Sequence, residues 1–175
     1  QIRAELNDPT VRAMTEAFGA PLVIDSAVRD GSLRQCATEL GVPVLLYESC
    51  EALRFDEVHI RAGVKGVVNV MRHLGMLRKS RAKQRHAPIF SRQTQWLRAP
   101  ASGIHRVLVP LGAQVSEDQV IGLIADPLGT EETEVRAPIA GVIIGRSNLP
   151  LAARGAIRAR RDERARATTP DARDA

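Results

Sequence analysis

The sequence is poor in aromatic residues, in cysteine and in long apolar runs. It has three Phe, one Trp and one Tyr in 175 residues, too few for the stacking surfaces that bind single-stranded nucleic acid. Its two cysteines, Cys36 and Cys50, lack paired spacing, so we expect them to fill the core of a protein in a reducing cytoplasm. With no run of about 18 apolar residues, no transmembrane helix is predicted. We therefore expect a globular protein with neither a membrane nor a nucleic-acid partner.

The positive charge of the chain is concentrated at its end. The formal net charge is +5, and most of it comes from the arginines that follow Arg146. The rest of the chain is close to neutral, which removes the broad basic surface that a nucleic-acid-binding protein needs. Residues 158–175 combine this charge with few large apolar side chains, so they are predicted to form a disordered basic tail.

The first part of the chain has the pattern of an α/β domain. Two apolar runs, at residues 21–24 and 42–47, have the length of buried strands, and helical segments over residues 11–18 and 30–40 precede them. This alternation predicts a parallel sheet covered by helices. Asp8 and Gly19 are predicted to cap the two ends of the first helix. A third helix is predicted after Asp56, with one apolar stripe along it: Ile60, Val64, Val67, Val68, Met71 and Leu74.

The second part of the chain contains a repeat. Residues 98–104 read Arg-Ala-Pro-Ala-Ser-Gly-Ile, and residues 136–142 read Arg-Ala-Pro-Ile-Ala-Gly-Val. Each copy precedes a short β-type run, and two such half-motifs resemble the barrel-sandwich hybrid of lipoyl and biotinyl domains. A carrier module is therefore one alternative, although residues 126–132, where such domains present a lysine, contain none.

These patterns divide the chain into four segments. The α/β part covers residues 1–77, a polar linker covers residues 78–94, the small all-β domain covers residues 95–157 and the tail completes the chain.

Glu48 is a candidate for chemistry because of its position. It ends the predicted strand at residues 42–47, and α/β sheets bind ligands at the carboxyl ends of their parallel strands. A solvated glutamate at a strand end is the alternative.

Three segments together resemble one known family. They are residues 30–34 (Asp-Gly-Ser-Leu-Arg), residues 41–48 (Gly-Val-Pro-Val-Leu-Leu-Tyr-Glu) and residues 63–77, from Gly-Val-Lys-Gly to Gly-Met-Leu. In this order, and followed by a β-domain, they resemble the succinylglutamate desuccinylase/aspartoacylase family of zinc-dependent deacylases. The resemblance covers the C-terminal portion of the family and leaves out its zinc-binding half. It implies a partial zinc-carboxypeptidase-like sheet followed by the β-domain, and an N-terminus upstream of Gln1.

The resemblance implies a role for two residues. Glu48 matches the general base of the family, with Glu51 as the weaker candidate, and Arg34 matches a residue that holds a substrate carboxylate. A solvated helix arginine is the alternative for Arg34. The implied substrate is a small acylated amino-acid-like molecule, cleaved at an amide or ester bond. The β-domain has no tyrosine to match the aspartoacylase branch, which argues against N-acetylaspartate.

The implied cofactor is zinc, but the chain lacks the His-x-x-Glu pair that holds it in the family. Four histidines are present, and their dispersed positions predict no metal site: His59, His73, His86 and His105. A non-catalytic fragment is thus a further alternative, and this chain alone is expected to be inactive. Neither the substrate nor the oligomeric state follows from the sequence.

Overall fold

The structure is a computed structural model, and it describes residues 1–80, 87–155 and 157–164. The chain forms two compact units, Gln1–Ser91 and Arg92–Ala175. The first unit contains the helices and a mixed sheet, and the described part of the second unit contains only strands. The predicted α/β class with a following β-rich domain therefore describes the chain.

The sheet of the first unit is mixed rather than parallel. Its strands are β1 (Ile2–Ala4), β2 (Leu22–Asp25), β3 (Leu46–Tyr47) and the first residues of β4 (Ile89–Arg98). β2 lies parallel to both β1 and β4, whereas β3 pairs antiparallel with β1, opposing Ile2 to Tyr47. The predicted strand at residues 42–47 is thus reduced to its last two residues, and its predicted parallel direction is wrong. The pairing partner, β1, has only three residues and shows no periodicity that would have predicted it.

Within its described residues, the first unit has three helices: α1 (Pro9–Phe18), α2 (Leu33–Glu39) and α3 (Glu57–His73). The predicted ends of α1 are confirmed. The Asp8 side chain caps the first turn by accepting from the Thr10 and Val11 N–H groups, and Gly19 ends the helix with a φ of 80°. None of the described helices is long and apolar enough to cross a membrane.

α3 contacts the rest of the unit through glycines. A Cβ on Gly66 would overlap the Phe18 ring, and a Cβ on Gly63 would lie 3.0 Å from Tyr47. The absence of side chains at these two positions therefore lets α3 approach α1 and β3 closely.

The predicted apolar stripe of α3 lies on another face and remains largely uncovered. Ile60, Val64 and Val67 are 42%, 60% and 55% exposed. These residues are not packed into a core, because the close contact is made by the glycine face instead.

The core of the first unit lies between α1 and the sheet. Its buried members are Ile2, Ala4, Val11, Phe18, Ala20 and Val23. Both cysteines, predicted for the core, are instead exposed.

The second unit is built from antiparallel strands. One sheet has the order β10 (Leu151–Ala152), β5 (Gly103–Val107), β7 (Val120–Ala125) and β8 (Glu132–Arg136). In addition, β9 (Gly141–Arg146) pairs with both β6 (Gln114–Val115) and β11 (Ile157–Arg164). The buried core is formed by Leu97, Ala99, Val115, Ile121, Ile124, Val135, Ala137, Ile143 and Ala152.

The sequence repeat corresponds to a structural repeat. Its two alanines, Ala99 and Ala137, are 2% and 1% exposed and directly follow β4 and β8. Its two glycines, Gly103 and Gly141, are the first residues of β5 and β9. The arrangement of these strands as a barrel-sandwich hybrid stays a prediction.

Two predicted irregular segments contain strands. Residues 89–94, assigned to the linker, belong to β4, and residues 158–164, assigned to the disordered tail, belong to β11. Backbone hydrogen bonding to β9 holds β11 in the ladder, and this pairing does not require apolar side chains. The remainder of the predicted tail, residues 165–175, lies outside the described residues.

Candidate active site

Glu48 is held in place by the first residues of the chain. Its backbone N–H donates to the Gln1 carbonyl oxygen at 3.1 Å. Its carboxylate oxygen Oε2 accepts from Arg3 Nε at 2.6 Å and from Gln1 Nε2 at 2.9 Å. One carboxylate oxygen thus accepts from two side chains at the start of the chain, more than 40 residues away in sequence.

The direction of β3 changes the edge of the sheet at which Glu48 lies. Because β3 runs antiparallel to β1, the end of β3 meets the beginning of β1. Glu48 therefore lies at the amino edge of the parallel pair β1 and β2, and the predicted position at the carboxyl edge is wrong. The ligand-binding edge of a parallel sheet is therefore not where Glu48 lies.

Tyr47 fixes the end of β3 by its contacts with α1 and α3. Its ring lies 5.3 Å from the Phe18 ring, and its hydroxyl donates to the His59 carbonyl oxygen at 3.0 Å. The absence of a side chain at Gly63 leaves room for this ring. Packing of α1 and α3 against Tyr47 therefore sets the position of the neighbouring Glu48.

Arg3 is a functional candidate that the sequence analysis missed. Its side chain is 8% exposed, against 40% for Glu48. Its Nη2 is buried and has no hydrogen-bond partner within the described residues. The available signal was a charged residue between two apolar ones, Ile2 and Ala4, at the start of the chain.

The turn after Glu48 is strained and exposes apolar side chains. Cys50 and Leu53 have φ values of 69° and 62°, a region that non-glycine residues rarely adopt. The side chains of Leu53 and Phe55 are fully exposed. Glu51, the alternative base, pairs instead with Arg54 in this turn, at 3.1 Å. Strain of this kind is common at functional sites.

Arg34 lies away from Glu48. Its Nη2 donates to the Ser26 carbonyl oxygen at 2.6 Å, and the Ser26 N–H donates to the Ala4 carbonyl oxygen. Ala4 is the last residue of β1, whereas Glu48 lies beside Gln1, which precedes the strand. Three residues of strand separate Gln1 from Ala4 by about 10 Å. The structure therefore does not bring the two predicted site residues together.

Arg34 lines a separate cleft at the carboxyl ends of β1 and β2. The cleft encloses about 330 Å³, and the polar side chains in its lining are Glu5, Asp8, Thr10, Arg34 and Thr38. The role of Arg34 in holding a substrate carboxylate stays a prediction.

The described residues do not fit a zinc ion. No group of three or more His, Cys, Asp or Glu side chains within them could hold a metal. His59 pairs with Asp56 at 2.8 Å on the first turn of α3. Zinc chemistry can therefore not be assigned to these residues.

Comparison with known proteins identifies the fold. No protein-family model and no curated protein sequence matches the chain. Solved structures do match it. The apo structure of the ectoine utilization protein EutE (DoeB) from Ruegeria pomeroyi has a TM-score of 0.78 at 20% identity, and the match covers 92% of this chain and 54% of that one.

Two structures named after one enzyme family match equally well. The succinylglutamate desuccinylase/aspartoacylase from Rhodobacter sphaeroides has a TM-score of 0.78 at 20% identity, with 94% of this chain and 53% of that chain covered. A succinylglutamate desuccinylase from Silicibacter sp. has a TM-score of 0.74 at 21% identity, with the same coverage. The chain thus has the fold of these proteins and spans about half of their length. The resemblance read from the three sequence segments is confirmed at the level of the fold.

Proposed function

We propose that this chain is the C-terminal portion of a hydrolase of the succinylglutamate desuccinylase/aspartoacylase family, in which Glu48 is the general base. The reaction is the cleavage of an amide, or an ester, in a small carboxylated molecule. The shared fold supports a deacylase-type hydrolase, and because folds host many functions, the activity itself must be argued from the site.

The observation that carries the proposal is the restraint on Glu48. A general base must keep its carboxylate at a defined place, within hydrogen-bond reach of the proton that it removes. Arg3 Nε and Gln1 Nε2 both donate to Oε2. The residue before Glu48, Tyr47, is anchored by its own hydrogen bond to the His59 carbonyl oxygen. With 40% of its side chain exposed, Glu48 remains accessible to water. It can take a proton from the attacking water and return it to the nitrogen of the leaving amine.

The uncovered surface of the first unit supports an incomplete catalytic domain. The exposed stripe of α3 and the exposed apolar residues of the turn at residues 49–55 would be costly in water for a complete α/β domain. Because the described residues do not fit zinc, the zinc ligands of the family would have to come from outside these residues.

Replacement of Glu48 in a longer protein tests the proposal. The longer protein is made by fusing this chain to the part of a solved relative that the chain does not cover. Hydrolysis of succinylglutamate and of a panel of N-acyl amino acids is then measured. The variant Glu48→Gln keeps a side chain of the same shape but cannot accept the proton. We expect turnover to fall by about 10²-fold or more, with an unchanged circular dichroism spectrum.

Glu51→Gln is the matched control, since Glu51 lies three residues further on in the exposed turn. Its turnover should stay close to that of the parent protein. Full activity of Glu48→Gln together with a loss in Glu51→Gln would move the general base to Glu51. The absence of hydrolysis of every substrate by the parent protein would reject the deacylase function.

A further inference from the structure

Arg3 is a charged residue inside a buried strand. Ile2 and Ala4 on either side of it are 0% exposed, and Arg3 itself is 7% exposed. Its backbone lies between two neighbouring strands, opposite Ile24 of β2 and Leu46 of β3. The guanidinium is therefore carried by a strand that is paired on both sides and cannot easily shift.

The backbone of Glu48 is hydrogen-bonded to Gln1, but this does not fix the side chain. Glu48 follows β3, a strand of two residues whose partner among the described strands is β1 alone, and the strained turn at residues 49–55 follows it. A glutamate side chain at such a place has many rotamers of similar energy. Its fixed position therefore depends on the groups that bind its carboxylate.

Stability alone does not explain Arg3. Removing a guanidinium from water is unfavourable, and the attraction to one carboxylate compensates for it only when the remaining N–H groups also find acceptors. Nη2 is buried and has no such acceptor among the described residues. An apolar side chain of similar length would fill the same space without this penalty.

We propose that Arg3 is a positioning residue for Glu48, whose guanidinium Nε binds Oε2 and holds the carboxylate in one orientation. The inference rests on the proposed function of Glu48 as general base. Gln1 contributes a second, neutral donor to the same oxygen, and we expect its effect to be smaller because charge-assisted hydrogen bonds are the stronger ones.

The mobility of the Glu48 side chain tests this role in the 175-residue chain itself. The chain is labelled with ¹³C at glutamate, Glu48 is assigned with the variant Glu48→Gln, and order parameters of the Cγ methylene groups are measured by NMR relaxation. Glu48 should be clearly more ordered than Glu117, an exposed glutamate of the second unit. In Arg3→Met, its order should fall to the level of Glu117, while the backbone spectrum stays unchanged.

Two further variants separate positioning from a general effect of charge. Arg3→Lys should restore part of the order, because an ammonium group supplies the charge but not the planar donor geometry. Arg61→Met removes an exposed ion pair whose N–O distance to Glu57 is also 2.6 Å, and it should leave Glu48 unchanged. If Arg3→Met does not fold, the comparison of Arg3→Lys with the parent chain provides the same readout.

An order parameter of Glu48 that is the same in Arg3→Met, or Arg3→Lys, as in the parent chain would overturn the inference. Equal mobility of Glu48 and Glu117 in the parent chain would also overturn it. The readout needs no catalysis, so it is separate from the proposed function. If Glu48 is ordered by Arg3 but Glu48→Gln keeps its turnover in the longer protein, the proposed function fails and the contact stands.

Discussion

Asp126 organises the turn between β7 and β8 with its own side chain. Its carboxylate accepts from the Glu131 N–H at 3.0 Å and from the Thr130 hydroxyl at 2.8 Å. These bonds, that of the Glu131 backbone first, lower the pKa of Asp126 from its ordinary value of 3.8. Asp126 is thus a turn-forming residue.

The lowered pKa of Asp126 predicts a pH dependence of the turn. Since the ionised form is favoured in the folded state, its contribution is fully present above pH 3.8 and is lost as the pH falls through the lowered pKa. Asp126→Ala should therefore lower the protection of the Glu131 amide against hydrogen exchange, measured relative to its intrinsic rate, at neutral pH. Acidification through the lowered pKa should lower the same protection in the parent chain. Asp126→Asn, which keeps an acceptor oxygen, should have a weaker effect. Unchanged exchange in Asp126→Ala would contradict this account.

Helix α3 uses two faces for different purposes. Gly63 and Gly66 face Tyr47 and Phe18, and this close approach places Glu48 through its neighbour Tyr47. The exposed stripe with Val64 and Val67 lies on another face. The apolar stripe of the helix is therefore exposed in this chain, whereas the face with the two glycines is the one that packs.

The packing of α3 predicts an unusual response to alanine. Gly→Ala in a helix ordinarily stabilises it by about 1 kcal/mol, but a Cβ on Gly66 would overlap the buried Phe18 ring. Gly66→Ala should instead destabilise the first unit by about 1–3 kcal/mol, as overpacking does. Urea unfolding followed by the helical circular dichroism signal measures this, because the described helices all lie in the first unit.

Val64→Ala is the control for this element, since Val64 lies on the exposed stripe of the same helix. Its effect should stay within about 0.5 kcal/mol. A Gly66→Ala variant as stable as the parent chain would show that α1 and α3 do not meet as described.

The whole chain spans about half the length of the solved structures whose fold it shares. It includes a candidate base in Glu48 but, within the described residues, no cluster of side chains that could hold a metal. A catalytic zinc needs about three protein ligands around one ion. Under the proposed function, the zinc ligands would therefore lie outside the described residues.

We predict that the 175-residue chain alone neither binds zinc stoichiometrically nor hydrolyses acylated amino acids. Metal analysis after dialysis against zinc, together with the hydrolysis assay used for Glu48→Gln, checks both parts. The longer protein with the additional half serves as the positive control. One zinc per chain combined with measurable turnover would mean that the chain builds a site from its own residues.

The sequence by itself determined the features that depend on neighbouring residues. Asp8 and Gly19 predict the ends of α1 because capping groups act over three or four residues, and Asp56 predicts the start of α3 in the same way. The repeat that contains Ala99 and Ala137 predicts a short β-type run after each copy, and these runs are β5 and β9. Glu48 stands out because it follows an apolar run.

Tertiary structure decided the features that join distant parts of the chain. The contact of Arg3 with Glu48 spans 45 positions, and it arises only because β3 runs antiparallel to a three-residue strand. The pairing of the charged strand β11 with β9 likewise uses backbone groups that every residue carries. Strand direction and pairing depend on long-range backbone hydrogen bonds. A local pattern of side chains does not determine which strand pairs with which.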